Sequence, residues 1–265
     1  MFVFVIYYAG AKEKIFVAST PAGIEVKSFI GIALKDSVDF IRWKLVLDEN
    51  HYSLFCNYGI SKPNTTGFYN DGYKVKLSGT IKKENNYYQF INGNKILKAI
   101  ELNTDLIHLL DADNHLLRGN GGWGYTLNNV QPSGIDRINI SAKPVILKDS
   151  MTYEGRTPCG VPGLVAPGKL CYKLKWYVVL YTDKEKNEPT TFKLFGIEWR
   201  KPEGKKGNWK IITAKDKVIY QLNEKDGKPF IYLLKTDENV LLFADAKGHP
   251  LVGDEDYSYS LSRVF

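Results

Sequence analysis

Residues 105–130 read DLIHLLDADNHLLRGNGGWGYTLNNV, and residues 239–264 read NVLLFADAKGHPLVGDEDYSYSLSRV. The two stretches align without a gap at a constant offset of 134, so that Asp111 falls on Asp245 and Val130 on Val264. Between those ends, Ala112/Ala246, His115/His249, Leu117/Leu251, Gly119/Gly253, Tyr125/Tyr259 and Leu127/Leu261 are identical pairs. The chain is therefore a tandem duplication, and each copy can be read against the other.

Working outward from the repeat, FIRWKLVL at residues 40–47 alternates Phe40, Arg42, Lys44 and Val46 with Ile41, Trp43, Leu45 and Leu47. A period of two over eight residues predicts a strand. CYKLKWYVVLYT at 171–182 is its counterpart, with Trp176 answering Trp43. SLFCNYG at 53–59 is answered by TTFKLFG at 190–196, closing glycine included. Further strands are expected in the first copy at 52–58, 74–81, 87–91, 96–102, 106–110, 115–119 and 123–128. In the second they are expected at 209–213, 218–222, 230–234, 240–244, 250–253 and 257–263. Asn92-Gly93-Asn94 and Asp111-Ala112-Asp113-Asn114 supply hairpin turns between them. The exception is the stretch 24–34, where Val26, Phe29, Ile30 and Ala33 have helical spacing and predict one or two turns of helix.

Each copy thus holds about eight short strands at close intervals, the signature of an antiparallel sandwich or barrel. Closure removes the exposed edges that so many short strands would otherwise present, which favours the barrel. The expected organisation is all-β: residues 1–18 as leader or extra strand, 19–130 as the first barrel, 131–146 as a polar linker and 147–265 as the second barrel.

A chain of 265 residues gives each copy enough length to bury a core. The net charge of +7 is moderate and the lysines are dispersed, apart from a cluster at 200–217. No nucleic-acid motif accompanies them, so a solvated surface is the expected role. No apolar run approaches the ~20 residues of a membrane-spanning helix. Residues 2–9 are apolar, and Ala9-Gly10-Ala11 has the small-x-small form of a signal-peptidase site, but no basic residue precedes the run. The segment is expected as the end of a signal peptide, with a first strand as the alternative.

Cys159 and Cys171 lie twelve apart around a loop rich in proline and glycine. Ala22 and Val38 occupy the matching places in the first copy, so both members of the pair are missing there together. Paired absence is what a disulfide predicts, and such a bond would stabilise by roughly 2–3 kcal/mol and imply an oxidising compartment. Free buried thiols or a metal or redox pair are the alternatives. Zinc sites favour two to four intervening residues, and redox pairs favour C-x-x-C. Cys56 has no evident partner and is expected as a buried apolar thiol.

Candidate chemistry is sparse. The four histidines are His51, His108, His115 and His249, and the last two are repeat equivalents expected in turns. No G-x-S-x-G nucleophile elbow occurs, and Asp254-Glu255-Asp256 lacks the ligand spacing of a calcium loop. No catalytic set, metal site or cofactor is expected. Trp43, Trp123, Tyr125, Trp176, Trp209 and Tyr259 are the candidates to line a cavity for a small apolar ligand, with an aromatic core as the plainer role. Asn64-Thr65-Thr66 and Asn139-Ile140-Ser141 have the form of glycosylation sequons.

The runs FIRWKLVL, YGISKPNTTGF and LLRGNGGWGYTLNNV, with YEGRTPC, CYKLKWYVVLYTD and the repeat at 239–264, resemble secreted Bacteroidetes proteins grouped with the copper-resistance lipoprotein NlpE. The resemblance covers nearly all of the chain after residue 18. It implies lipocalin-like (calycin-type) barrels, and for NlpE-type proteins a lipid anchor and a role in sensing envelope or copper stress. The chain departs from that pattern. Cys159 and Cys171 are not C-x-x-C, no lipoprotein cysteine is visible, and the two Met and four His do not make a soft copper(I) ligand set. The resulting expectation is a non-catalytic extracytoplasmic protein that binds a small apolar ligand or an envelope protein. A structural or interaction module with filled barrels is the alternative.

Overall fold

The computed structural model describes residues 13–134, 138–139, 148–162, 164, 170–196, 201–214 and 217–265. Residues 1–12 of the expected leader and most of the expected linker, together with Trp199 and Arg200, lie outside them. The first copy is an up-and-down barrel of β1 (Lys14–Pro21), β2 (Phe40–Leu47), β3 (His51–Gly59), β4 (Tyr73–Glu84), β5 (Tyr87–Asn92), β6 (Lys95–Asn103), β7 (Leu106–Leu110) and β8 (Thr126–Asn129). Each strand pairs antiparallel with the next, and β1 closes on β8 through Phe16↔Asn129 and Val17↔Asn128.

The second copy repeats the plan with β9 (Ser150–Thr157), β10 (Leu174–Asp183), β11 (Glu188–Gly196), β12 (Lys205–Ala214), β13 (Lys217–Asn223), β14 (Pro229–Lys235), β15 (Val240–Ala244) and β16 (Ser260–Val264). Its closure runs through Ser262↔Glu154 and Arg263↔Tyr153. Both barrels are closed, so neither sheet leaves an edge.

Two expectations are corrected. Residues 115–119 and 250–253 are not strands; single bridges, Leu110↔Leu116 and Ala244↔Pro250, tie them to the strands before them. The strands that complete each count are β1 and β9, whose segments KIFVASTP and SMTYEGRT carry weak apolar patterns. Each pairs with two neighbours, and that pairing rather than intrinsic preference makes it a strand. Residues 14–18, within the segment expected as leader or extra strand, are thus strand and belong to the first barrel.

Inward residues follow the alternation. Ile41, Trp43, Leu45 and Leu47 of β2 pack with Phe16, Tyr52, Leu54, Phe90, Leu97, Ile107 and Leu109 in one buried cluster. Tyr153, Trp176, Val178, Leu180, Phe192, Tyr220, Leu233 and Phe243 form the corresponding cluster in the second barrel.

The mouths of the two barrels are plugged differently. In the first, α1 (Ile24–Ile30) turns Val26, Phe29 and Ile30, spaced i, i+3, i+4, into the core. It stops at Gly31, whose φ of 84° is the left-handed conformation favoured at a helix C-terminus. In the second, the described residues after β9 supply the plug. Val161 enters the core, and Leu164 and Cys171 pack against it. A disulfide joins Cys159 to Cys171 with the Cα atoms 6.0 Å apart.

The barrels meet through a third cluster. β7 (LIHLL) and β15 (VLLFA) are buried along their whole length. Ile107, Leu109, Leu241 and Phe243 face the barrel interiors. Leu106, Leu110, Val240, Leu242 and Ala244 face outward and pack together with Ile100 and Leu234. The hydrogen bonds across the junction are reciprocal. The Gly119 N–H donates to Ser262 Oγ at 2.8 Å, and the Gly253 N–H donates to Asn128 Oδ1 at 2.9 Å. Gly119/Gly253 and Asn128/Ser262 are repeat equivalents, so exchanging the copies exchanges the two bonds. This is the contact pattern of an approximate two-fold, isologous interface.

Candidate functional site

Five of the six candidate aromatic residues lie inside the barrels, and the polar atoms of four of them tie the core to its plugs. Trp43 Nε1 donates to Thr20 Oγ1 at 2.8 Å, and Trp176 Nε1 donates to Thr157 Oγ1 at 2.9 Å. Those threonines end β1 and β9 just before the plugs. Tyr125 accepts a hydrogen bond from the backbone N–H of Gly23, and Tyr259 accepts one from Gly160. A Cβ at either glycine would run into the tyrosine hydroxyl, so this approach requires glycine. Burial pushes both phenols up. Trp209 Nε1 donates to the Tyr181 carbonyl at 2.7 Å, and its ring meets Tyr220 edge-on at 5.1 Å.

Trp123 differs, because it leaves the barrel and enters the cleft between the two copies. It stacks on Phe40 at 4.6 Å, Phe40 stacks in turn on Phe68 at 4.3 Å, and the Arg156 guanidinium of the second barrel lies 5.5 Å from the Trp123 ring centre. Tyr257, the repeat equivalent of Trp123, faces the same cleft with Lys173 over its ring at 5.5 Å. Lys173 Nζ also donates to the Tyr257 hydroxyl at 3.1 Å. The loop 61–66 forms the remaining wall, and the cleft encloses about 200 Å³.

Asp256 is the cleft's carboxylate, and it is already committed. Its Oδ1 lies 2.5 Å from Arg42 Nη2, which also donates to the Thr66 carbonyl at 2.8 Å. Burial, with help from Asp254 and Glu255, raises the Asp256 carboxyl above its ordinary range despite the opposing Arg42 charge. Arg156, by contrast, makes no ion pair among the described residues. The expected solvated turn at 254–256 is thus partly a bridge between barrels. Its turn geometry is the repeat of the first copy's: Asp254 Oδ1 caps the N–H groups of Asp256 and Tyr257, as Asn120 Oδ1 caps those of Gly122 and Trp123.

A recess opens at each barrel mouth. One, of about 360 Å³, lies between α1 and β6 and is lined by Phe29, Ile96, Leu97 and Leu110 with Glu25 and Lys95 at its sides. The other, of about 390 Å³, is its repeat equivalent, lined by Val161, Phe230, Ile231 and Ala244 with Glu224 and Lys228.

The histidines are occupied structurally. His115 Nδ1 is 3.3 Å from Asp111, and His249 Nδ1 is 2.9 Å from Asp245. Burial pushes these two carboxyls up, but the backbone and ring N–H groups of their histidines outweigh it and hold them low. Although the barrels pack symmetrically, each histidine serves the turn it sits in. His108 is fully buried on the interface face of β7. Its Nε2 donates to the Leu117 carbonyl at 2.9 Å, so Nδ1 accepts from Thr126 Oγ1 at 2.8 Å. Burial lowers its pKa to about 4. Cys56 is buried in the first core, which pushes its thiol up to about 12. No group of three or more metal-ligating side chains occurs among the described residues, and none of their helices is long and apolar enough to cross a membrane.

Sequence reasoning missed the cleft, although a signal for the interface was present. LIHLL and VLLFA are apolar without alternation, as befits strands buried on both faces. Fold and cleft together define a tandem pair of closed eight-stranded antiparallel barrels joined about an approximate two-fold axis. No family, curated protein or solved structure matches this chain. The resemblance to NlpE-type proteins rests on the quoted motifs alone.

Proposed function

We propose that this protein is a non-catalytic extracytoplasmic binding module whose filled barrels serve as a rigid frame, with recognition on the outer surface. One observation carries the reading: large inward side chains, Phe16, Trp43, Tyr52 and Phe90 in the first barrel and Tyr153, Trp176, Phe192 and Tyr220 in the second, are buried against one another. A barrel of about eight strands has room for such a core or for one small ligand. The Cys159–Cys171 disulfide supports export, since reducing compartments do not maintain such bonds. Titration with the neutral apolar probe N-phenylnaphthylamine tests the frame. Weak, non-saturable binding is expected. Stoichiometric binding abolished by Ala99→Phe, which fills the first interior, would overturn the reading.

A second reading is favoured by the paired mouth recesses. Their apolar floors, with acidic and basic residues at the sides of each (Glu25, Asp111, Lys95 and Lys98 in one, Glu224, Asp245 and Lys228 in the other), suit a small amphipathic molecule held at the plug. Saturable probe binding lost in Ile96→Glu but kept in Ala99→Phe would select it.

A further inference from the structure

We infer that the cleft on the approximate two-fold axis is a binding site for a small oxyanion, a molecule bearing a carboxylate or a phosphate. The inference rests on the outer-surface reading and names the site and its ligand chemistry. Three cations, Lys62 and Lys173 at the walls and Arg156 over Trp123, surround the cleft. Its one lining carboxylate, Asp256, is paired with Arg42 at 2.5 Å, and Lys62, Lys173 and Arg156 make no ion pair among the described residues. Arg156 is half-buried, has no ion-pair partner among the described residues and keeps its guanidinium nitrogens open to solvent in the cleft. Its guanidinium carbon lies 5.5 Å from the Trp123 ring centre, within cation–π reach, and its N–H groups can meet two oxygens of a planar or tetrahedral anion. Concave, low-dielectric walls of Phe40, Trp123 and Tyr257 strengthen such a contact. The volume of about 200 Å³ equals roughly seven liquid-water volumes, which suits a monosaccharide-sized acid.

The site is a product of the duplication's asymmetry. Lys173 stands beside Tyr257 where Phe40 stands beside Trp123, since setting Trp176 on Trp43 places Lys173 on Phe40. Arg156 stands one residue before Thr157, as Ser19 stands before Thr20. Ser19 merely donates to the Glu255 carbonyl across the junction at 2.8 Å. The second copy therefore supplies two cations where the first supplies a ring and a hydroxyl.

Isothermal titration calorimetry at low ionic strength with inorganic phosphate, glucuronate and neutral glucose tests the site. One-site, saturable binding of phosphate or glucuronate is expected, with none of glucose. Arg156→Gln and Lys173→Gln should each weaken it by about tenfold or more, while the remote Lys82→Gln leaves it unchanged. The stronger of the two anions identifies the headgroup. Absence of saturable binding of both anions up to millimolar concentration, or binding that neither cleft substitution weakens, would overturn the inference. That failure leaves the frame reading standing, because the neutral-probe titration reports on the interiors alone. Circular dichroism of each variant checks that the fold is retained.

Discussion

The two barrels share a strand plan and close their mouths by different chemistry. In the first, a seven-residue helix drives Val26, Phe29 and Ile30 into the core. In the second, a cross-linked loop inserts Val161 and is held by the Cys159–Cys171 bond. A helix satisfies its own backbone and can be held by packing alone, whereas the plug of the second barrel is also tied by a cross-link, and ordering any segment costs chain entropy. The disulfide offsets that entropy in the unfolded chain. Beneath both plugs the same ties recur, from tryptophan to threonine and from glycine to tyrosine.

Removing the helix's anchor should have the largest effect on this contrast. Phe29→Ala is expected to cost about 3–5 kcal/mol in urea unfolding through the cavity it leaves, whereas the smaller Val161→Ala should cost about 2 kcal/mol or less. Equal costs would mean that the plugs contribute alike. The next effect concerns the interface, where His108 stands opposite Leu242 in the repeat. Its folded pKa of about 4 lies below the unfolded 6.5, so the neutral ring is carried without penalty above pH 6.5. As pH falls from 6.5 toward 4 the unfolded chain takes up the proton first, and stability drops by about 3 kcal/mol. His108→Leu should flatten that slope; an unaltered slope would assign acid sensitivity to other groups.

Breaking the staple comes third. Cys159→Ser with Cys171→Ser should lower stability by about 2–3 kcal/mol. The denatured, unreduced wild type should show one reactive thiol, from Cys56, and the reduced chain three. Three thiols without reduction would remove the bond and the compartment argument together. The smallest effect should come from the shared ties. Tyr125→Phe and Tyr259→Phe each leave a glycine N–H without its acceptor and should cost about 1 kcal/mol, equally in the two barrels. A marked difference between them would show that helix and loop do not rest on the tyrosine in the same way.

Strand positions with strong alternation or an unbroken apolar run were legible before any coordinates. Phe40–Leu47, Leu106–Leu110 and Val240–Ala244 stand where their patterns place them, and the helical spacing near residue 24 became α1. The expected disulfide is present. The closing strands β1 and β9 were not legible, because Ala18-Ser19-Thr20-Pro21 and Glu154-Gly155-Arg156 carry little intrinsic strand preference. The cleft was harder still. Trp123 looked like any other aromatic residue of the repeat, and Arg156, Lys173 and Asp256 are far apart in the chain.

The sequence by itself determined the duplication, the all-β character and the cysteine pairing, because repeat identity, period-two alternation and paired absence are properties of order along the chain. Only the tertiary structure decided which strands close each barrel, that the interiors are packed with aromatic side chains, and that the copies meet about an approximate two-fold axis. Those outcomes depend on which surfaces reach one another once the strands have paired. Such long-range encounters leave only indirect traces in local composition, here the unbroken apolar runs of β7 and β15.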